Sequence, residues 1–360
     1  MPRFEVADAP TLEPGLRAAW NGLRTNDPAY ASPYFSPEFY ETVASVTRNA
    51  RLLIAEDGGA PVALLPFQRR VGGLSGPIGG HLNDIHGLIA RPSFDAPAGQ
   101  ILEHARAPML SLRHAPTGAA ALGARFGQPH GFHVIDLAGG YAAYEARREP
   151  FAKSAFKTIR SRMEKARKQF SSVTHVFEDA SPANLETLIG WKRGQFAATR
   201  QPNLFAIGWV RELVDRLHSS RDPALKGQLS CLYFGDKLVA AHFGLRSTDV
   251  LHYWFPGYDP ACSELSPGNI LLRMMAEAAA SEGCQAVHLG AGDYRYKQEF
   301  ADRNFAVTGG VAFAGNAAGR TAAAAGLALA RIERALPQRI APLPAKALKR
   351  LDRTLAFKAA

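Results

Sequence analysis

A carboxylate, a phenol and an amine lie close together in the run Asp293-Tyr-Arg-Tyr296-Lys297. A carboxylate can take a proton from a reacting group, a phenol can return one, and an ammonium can neutralise a phosphate. These residue types predict proton-transfer chemistry beside an anionic ligand, with Asp293, Tyr296 and Lys297 as catalytic candidates. Each also has a structural alternative that the sequence leaves open: a turn cap for Asp293, the core for Tyr296, and a surface ion pair with Glu299 for Lys297.

A predicted helix start lies shortly before these residues. Ser266 fits a helix cap, Pro267 fits the first turn, and Gly268 leaves room for a ligand to approach the backbone. Apolar residues then recur at helical spacing up to Glu282-Gly283, and Gln285–Leu289 predicts a short buried strand. Because a helix N-terminus exposes unpaired N–H groups, Ser266, Gly268 and Asn269 are predicted to bind an anion such as a diphosphate.

Three histidines, His242, His252 and His288, fall in predicted strands. A strand histidine is typically a hydrogen-bonded wall residue rather than a base. We retain His252 as a catalytic candidate because its strand, Leu251–Phe255, leads towards the predicted site. The spacings H-x-x-x-H and C-x-x-C do not occur in the sequence, so no metal site is predicted.

The segment Glu149–Phe170 predicts a strongly basic helix. Residues 151–170 hold seven cations against the single acid Glu164. Phe156, Ile159 and Met163 share one helical face, which is expected to pack on the protein. The cations fit either a solvated helix face or a ridge that binds phosphates, and like charges on neighbouring turns repel one another unless an anion is present.

The order of predicted elements occurs twice along the chain. A helix over 34–46 and the hairpin Arg51–Glu56/Ala60–Arg70 parallel a helix over 204–217 and the hairpin Leu229–Phe234/Lys237–Arg246. The pattern predicts a duplicated α/β unit, although such coincidences also occur in unrelated α/β chains. Gly131–Leu137 predicts a strand of the first half, and Phe305–Phe313 is expected to close the second sheet.

Composition and charge limit the classes of protein that remain. The chain has 360 residues and a net charge of +10, and Arg320–Ala360 alone carries nine cations against two acids. This tail predicts two short amphipathic helices, which would dock on the domain or contact an anionic membrane surface or an acidic partner. Three cysteines without metal spacing favour a reducing cytosol, and the N-terminal residues show no apolar leader pattern.

The chain resembles the CelD-type acetyltransferases of the GNAT superfamily, which are related to the FemAB peptidyltransferases. The resemblance is carried by ELSPGNILL (264–272), GCQAVHLGAGDYRYKQEFA (283–301), the basic helix and the segment Trp191–Gln195. It covers roughly residues 150–313 well and the first half in outline. The usual GNAT pyrophosphate loop, Q/R-x-x-G-x-G/A, is absent from both halves, and Leu265–Asn269 stands in its place.

The resemblance implies an α/β protein with two tandem GNAT-like units, each a twisted mixed sheet flanked by helices, over 1–145 and 146–318, followed by a basic tail over 319–360. It implies acyl transfer from acetyl-CoA or another acyl-CoA, without a metal, to an amine or hydroxyl. The implied acceptor is an amino sugar or lipid-linked glycan of exopolysaccharide synthesis, in the cytoplasm or at the inner membrane face. The expected substrate-binding residues are Arg160, Lys192, Gln195 and Tyr258.

Two other functions stay open on the sequence. One is Fem-like transfer of an amino acid from aminoacyl-tRNA, which the positive charge permits, but no long helical arm for tRNA is visible between the halves, so nucleic acid is the less favoured partner. The other is a non-catalytic regulator that binds an anionic nucleotide, such as a cyclic dinucleotide, through the basic tail.

Overall fold

The computed structural model describes residues 2–335 except 9, 71–72, 119–121, 123–124 and 127. Described residues within Met1–His130 and Ala306–Ala360 form one compact unit, and Gly131–Phe305 forms a second. We call these the first and second units. The domain limits expected from the sequence, at 145/146 and 318/319, stay a prediction.

The helices and strands have the following bounds. The helices are α1 (Pro14–Arg24), α2 (Pro37–Val46), α3 (Ala98–His104), α4 (Gly140–Phe170), α5 (Pro182–Ala198), α6 (Gly208–Ser219), α7 (Pro267–Ser281), α8 (Arg295–Phe300) and α9 (Ala317–Ala335). The strands are β1 (Arg3–Ala7), β2 (Ala50–Asp57), β3 (Ala60–Arg69), β4 (Leu74–Pro77), β5 (Ile89–Ala90), β6 (Met109–Pro116), β7 (Arg125–Phe126), β8 (His130–Asp136), β9 (Val173–Val176), β10 (Lys226–Phe234), β11 (Lys237–Arg246), β12 (Val250–Tyr258), β13 (Ala286–Ala291) and β14 (Arg303–Phe313).

The sheet of the first unit has the order β1-β2-β3-β4-β6-β14. Its neighbours are antiparallel except β4 and β6, which are parallel. The β2–β3 hairpin turns at Gly58 and Gly59, both at positive φ, which suits residues without a Cβ. Alternate residues of these strands, among them Leu53, Leu65 and Phe67, enter the core with α3.

The sheet of the second unit has the order β8-β13-β12-β11-β10-β9. Here β12 and β13 are the parallel pair, and the other neighbours are antiparallel. Helices α4 and α7 pack with this sheet around a core that includes Phe156, Leu251, Leu272, Met275 and Val287. The predicted fold class, an α/β protein with mixed sheets flanked by helices, is confirmed.

The two sheets repeat one strand plan, in which four antiparallel strands are followed by one parallel neighbour. The predicted hairpins occur at β2–β3 and β10–β11. The predicted place of Phe305–Phe313 was wrong, because Val307–Phe313 pairs with β6 of the first unit. Gly131–Leu137, predicted as a strand of the first half, contributes β8, which pairs with β13 of the second unit. In chain order, the last strand of the first unit therefore comes after the whole second unit, whereas β8 is the first strand of the second unit.

Helix α4 changes direction within its length. Pro150 lies inside it and Ala152 has non-helical backbone angles (φ −123°, ψ 26°), because proline removes a hydrogen bond and clashes with the preceding turn. After this kink, Phe156, Ile159, Met163 and Ala166 are buried at helical spacing. The predicted basic helix is therefore present, and its apolar face is fixed in the core.

The chain after residue 313 continues into α9, which is a single helix up to Ala335. The rest of the predicted basic tail, 336–360, lies outside the described residues, as does the second of its two predicted helices. None of the helices within the described ranges is long and apolar enough to cross a membrane.

Candidate active site

The parallel strands β12 and β13 separate in the second unit. They pair only at Val250↔Ala286, Leu251↔Val287 and His252↔His288. A register shift between His288 and Gly290, with Gly290 at φ +80°, then turns β13 along its other neighbour, β8. From Tyr253 onward, β12 therefore has no ladder partner on its β13 side among the described residues. This gap leaves a strand edge to which an extended ligand can hydrogen bond.

The N-terminus of α7 follows the end of β12. Ser266, the residue before the helix, has left-handed backbone angles (φ 47°, ψ 54°), and its side chain does not cap the helix. The predicted capping role of Ser266 was therefore wrong. Its hydroxyl instead accepts a hydrogen bond from the guanidinium of Arg162 on α4. Arg162 thus brings a positive charge to a helix end that already favours anions.

A cleft of about 310 Å³ is lined by α4, the start of α7 and α8. Its polar lining comes from Ser154, Thr158 and Arg162 on α4, Ser266 and Asn269 at α7, and Arg295, Tyr296 and Glu299 on α8. Two of these side chains are cations, and Arg295 also pairs with Glu299 on the next turn at 2.7 Å. The structure therefore brings together three residues predicted from the sequence, Ser266, Asn269 and Tyr296. Arg162, which the sequence did not single out, lies with them.

Tyr296 links this cleft to the gap between the strands. Its ring centroid lies 6.0 Å from that of Tyr253, the first residue of β12 beyond the last pair with β13. Burial raises the pKa of Tyr253 well above its usual range, and the neighbouring Tyr296 raises it further. A phenol at this position can donate a hydrogen bond to an extended ligand that enters at Arg162 and runs along β12.

Asp293 is exposed and is not part of the cleft lining. Its electrostatic neighbour is His133 on β8: burial lowers the pKa of His133, Lys297 lowers it further, and Asp293 opposes both. The structural alternative of a side-chain cap is not observed either, since the helix that begins at Arg295 has no side-chain cap. The catalytic role of Asp293 stays a prediction.

Lys297 is buried rather than exposed. Its Nζ donates to the carbonyl oxygen of Ala291 at 2.6 Å and lies 5.5 Å from the ring centroid of Tyr294. This ammonium closes the loop between β13 and α8, so the predicted contact with a phosphate has no support in this geometry. The alternative ion pair with Glu299 is not formed, because Glu299 pairs with Arg295.

His252 is buried in the sheet at the last β12–β13 pair. Its ring centroid lies 6.1 Å from Phe132 and 6.3 Å from His288. It lies outside the cleft lining. His252 therefore lies in the wall of the sheet, away from the cleft, and its catalytic role stays a prediction.

The predicted substrate-binding residues lie at three places. Lys192 and Gln195 meet on α5, where the Lys192 ammonium donates to Gln195 Oε1 at 2.6 Å and lies 5.3 Å from the ring centroid of Phe196. Burial lowers the pKa of Lys192 to about 8. Tyr258 is half exposed at the end of β12, and a Cβ on Gly268 would lie 3.7 Å from its ring, an ordinary contact. The predicted role of Gly268 in leaving room for a ligand stays a prediction. Arg160 is exposed and pairs with Glu149, away from the cleft.

The equivalent gap in the first unit is filled by its own chain. Strands β4 and β6 pair only at Leu74↔Met109 and Ser75↔Leu110. Beyond this point, the loop over 78–88 bonds to β6: the N–H of Arg113 donates to His86 Nε2 at 2.8 Å, and the N–H of His86 donates to the carbonyl of His114 at 3.3 Å. Asn83 holds the loop through the Ile78 carbonyl and the Ile85 N–H. Asn83 and His86 therefore hold this loop in place along β6.

Residues 153–298 match a family described as acetyltransferase (GNAT) domain. Among solved structures, FemX is similar with a TM-score of 0.54 and 10% identity over 85% of this chain and 96% of that one. The C-terminal domain of a putative lysylphosphatidylglycerol synthetase from Agrobacterium fabrum is similar with a TM-score of 0.51 and 12% identity, over 81% and 92% of the two chains. No curated protein sequence matches this chain.

The family match spans α4 after its kink, the β9–β13 strands, α7 and the cleft. The second unit therefore contains a GNAT acetyltransferase domain, and the predicted enzyme class is confirmed. GNAT domains use acyl-CoA as co-substrate. The two structural similarities extend the likeness in fold, and in fold alone, over most of the chain.

Proposed function

We propose that the second unit transfers an acyl group from acetyl-CoA, or a related acyl-CoA, to an amine of an amino sugar or a lipid-linked glycan. The observation that carries the donor assignment is the Arg162 guanidinium on Ser266 at the start of α7. A guanidinium at the positive end of a helix suits a diphosphate, so Arg162 would compensate for the missing glycine-rich loop. Pro267 has no N–H and the Asn269 N–H donates to the Ser266 carbonyl oxygen at 3.1 Å, so the guanidinium would carry most of this contact. Asn269, on the same turn, lines the same cleft.

The pantetheine arm would extend from this end along the open edge of β12. Up to His252, the backbone of β12 is paired with β13. Beyond His252, a ligand would take the place of β13 and hydrogen bond to the backbone of β12. The thioester would then lie near Tyr253 and Tyr296, whose ring centroids are 6.0 Å apart. This path places the reacting carbonyl at the end of the cleft opposite Arg162.

The chemical step breaks the C–S bond of the thioester as the acceptor nitrogen bonds to the carbonyl carbon. Tyr296 would donate a proton to the departing sulfur, and its position in the cleft lining supports this role. Asp293 remains the predicted acceptor of the amine proton, acting through water because its carboxylate is exposed. The amino-sugar or glycan acceptor rests on the sequence resemblance.

Arg162→Gln, compared with Arg167→Gln, tests the donor site. Arg167 lies on the same helix but is exposed and pairs with Glu164, so it is a matched control. Thiol release from acetyl-CoA is measured with glucosamine-type acceptors. We expect Arg162→Gln to raise the KM for acetyl-CoA roughly 10- to 100-fold, since a hydrogen bond to a charged group is worth about 1.5–3 kcal/mol. Tyr296→Phe should lower kcat by about 100-fold and leave the KM nearly unchanged.

The donor assignment fails if both arginine variants behave alike, or if calorimetry detects no coenzyme A binding to the wild-type protein. Binding of coenzyme A without turnover on amino sugars would instead retain the donor site and reject the acceptor.

A further inference from the structure

One exposed face of α4 carries a row of cations. We define the basic ridge as Lys153, Lys157, Arg160, Arg167 and Lys168. Their spacing of four, seven, fourteen and fifteen residues from Lys153 places them on one side of the helix, and all five are exposed. The side that holds Phe156, Ile159 and Met163 is buried in the core. The ridge is therefore held outward by the same packing that points Arg162 into the cleft.

Among the described residues, the three lysines of the ridge form no close ion pair, and Lys153 interacts with Glu149 only at longer range. Arg160 pairs with Glu149 and Arg167 pairs with Glu164. No carboxylate within the described part of the chain lies within 4.0 Å of Lys153, Lys157 or Lys168, whose ammonium groups form no ion pair.

The surface helix α6 of the same unit is different. There Arg211 pairs with Glu186 and Asp215, and Arg216 pairs with Glu212. Uncompensated like charges on successive turns repel one another, and an external polyanion would relieve this repulsion.

An exposed aromatic side chain lies at one end of the ridge. Phe151 is 83% exposed, the largest exposure among the large apolar side chains of the described residues. It directly precedes Ala152, whose non-helical angles mark the kink of α4. A phenylalanine left in water gives up the stabilisation that burial would supply. Phe151 and Lys153 bring an exposed apolar side chain and a positive charge within three residues of the chain.

We propose that the basic ridge and Phe151 dock the protein on an anionic lipid surface. The ridge extends about 22 Å from Lys153 to Lys168 along a straight helix, so its cations can touch a flat surface together. Lysines favour this use because their stems lie along apolar surface while the ammonium reaches the phosphates. Phe151 enters the interface between headgroups and acyl chains. A neighbouring face of α4 is in the core, so the contact is peripheral, and it does not depend on the proposed acyl transfer.

Vesicle sedimentation of the full chain tests this inference. The probes are vesicles of phosphatidylcholine alone and of phosphatidylcholine with 30 mol% phosphatidylglycerol, at about 0.1 M salt. Wild-type protein should bind the anionic vesicles and lose affinity as salt rises, because exposed charges are screened. The variant K153Q/K157Q/K168Q should lose affinity on the order of a hundredfold, and Phe151→Ser roughly tenfold.

The matched control is R193Q/R216Q/R221Q, which removes the same number of charges from α5, α6 and the loop after α6. It should bind the anionic vesicles within about twofold of wild type, because those residues lie outside the ridge. Equal losses in the two triple variants would overturn the proposal, since net charge rather than the ridge would then govern binding. Unchanged vesicle binding by the ridge variant, or ridge-dependent binding to duplex RNA but not to vesicles, would overturn it as well.

Discussion

The buried ammonium of Lys192 is expected to make stability depend on pH. Its folded pKa of about 8 lies below the ordinary value of 10.5, because burial disfavours the charged form. Between these values the unfolded state binds more protons than the folded state, so the free energy of unfolding rises with pH. From pH 7 to pH 10 this contribution amounts to roughly 2 kcal/mol.

Lys192→Met should remove this rise. Urea unfolding at pH 7, 8.5 and 10 measures the free energy of unfolding of both proteins. Across this range, we expect the free energy of unfolding of the wild type to rise by about 2 kcal/mol relative to that of the variant. Parallel curves would show that the ammonium is solvated or paired in the folded protein, in conflict with its burial beside Gln195 and Phe196.

Some residues of the candidate site could be predicted from the sequence, and others could not. Helical spacing predicted the basic helix and its apolar face, and residue types predicted the Ser266–Asn269 turn and Tyr296 at the site. The sequence could not select Arg162 from seven cations, because that requires knowing where α7 begins in space. One signal was present: Arg162 lies between the buried Ile159 and Met163, so it borders the apolar face.

At the scale of elements, the strands were predictable but some of their partners were not. The glycine turns of β2–β3 and β10–β11 fix local pairing, because the chain reverses within two residues. The pattern of Phe305–Phe313 fixes which side chains face the core, but it carries no information about which distant strand accepts its hydrogen bonds. Its pairing with β6, nearly 200 residues earlier in the chain, therefore went unpredicted.

Helix α6 approaches β10 closely at Gly227, and we expect a side chain there to separate them. A Cβ on Gly227 would lie 2.3 Å from Phe243 Cζ and 2.9 Å from the backbone of Leu217. Gly227→Ala should lower the free energy of unfolding by about 1–3 kcal/mol, as overpacking usually does. Urea unfolding measures the change.

Gly208→Ala is the control for this pair, since no atom lies within 4 Å of a Cβ at that position of α6. It should be neutral or raise stability by up to about 1 kcal/mol, because alanine reduces the entropy of the unfolded chain. A loss in Gly208→Ala equal to that in Gly227→Ala would show that the close approach at Gly227 is not the cause of the destabilisation.

Because the strand plan occurs in both units, each unit could in principle bind one acyl donor. The structure favours one donor site per chain, in the second unit. The gap of the second unit is open beside Arg162, whereas the gap of the first is filled by the loop over 78–88. Opening the first gap would break the bonds of His86 to Arg113 and His114 and expose the buried Ile78, Leu82 and Ile85. Exposure of that much apolar surface costs several kcal/mol, more than a second weak site would return.

Calorimetric titration with a non-reactive acetyl-CoA analogue should therefore give one molecule bound per chain, and Arg162→Gln should weaken that single site roughly 10- to 100-fold. His86→Ala, which removes the imidazole acceptor from the first unit, should leave the stoichiometry unchanged, since Ile78, Leu82 and Ile85 still fill the gap. Two molecules per chain would mean that the loop over 78–88 moves out of the first unit and that both copies of the plan accept a donor. One site that persists at full strength in Arg162→Gln would mean that donor binding does not depend on Arg162, which would contradict the proposed donor site. A single site that responds to Arg162 alone would mean that duplication of the fold left one unit to bind donor and the other with its ligand gap closed by its own chain.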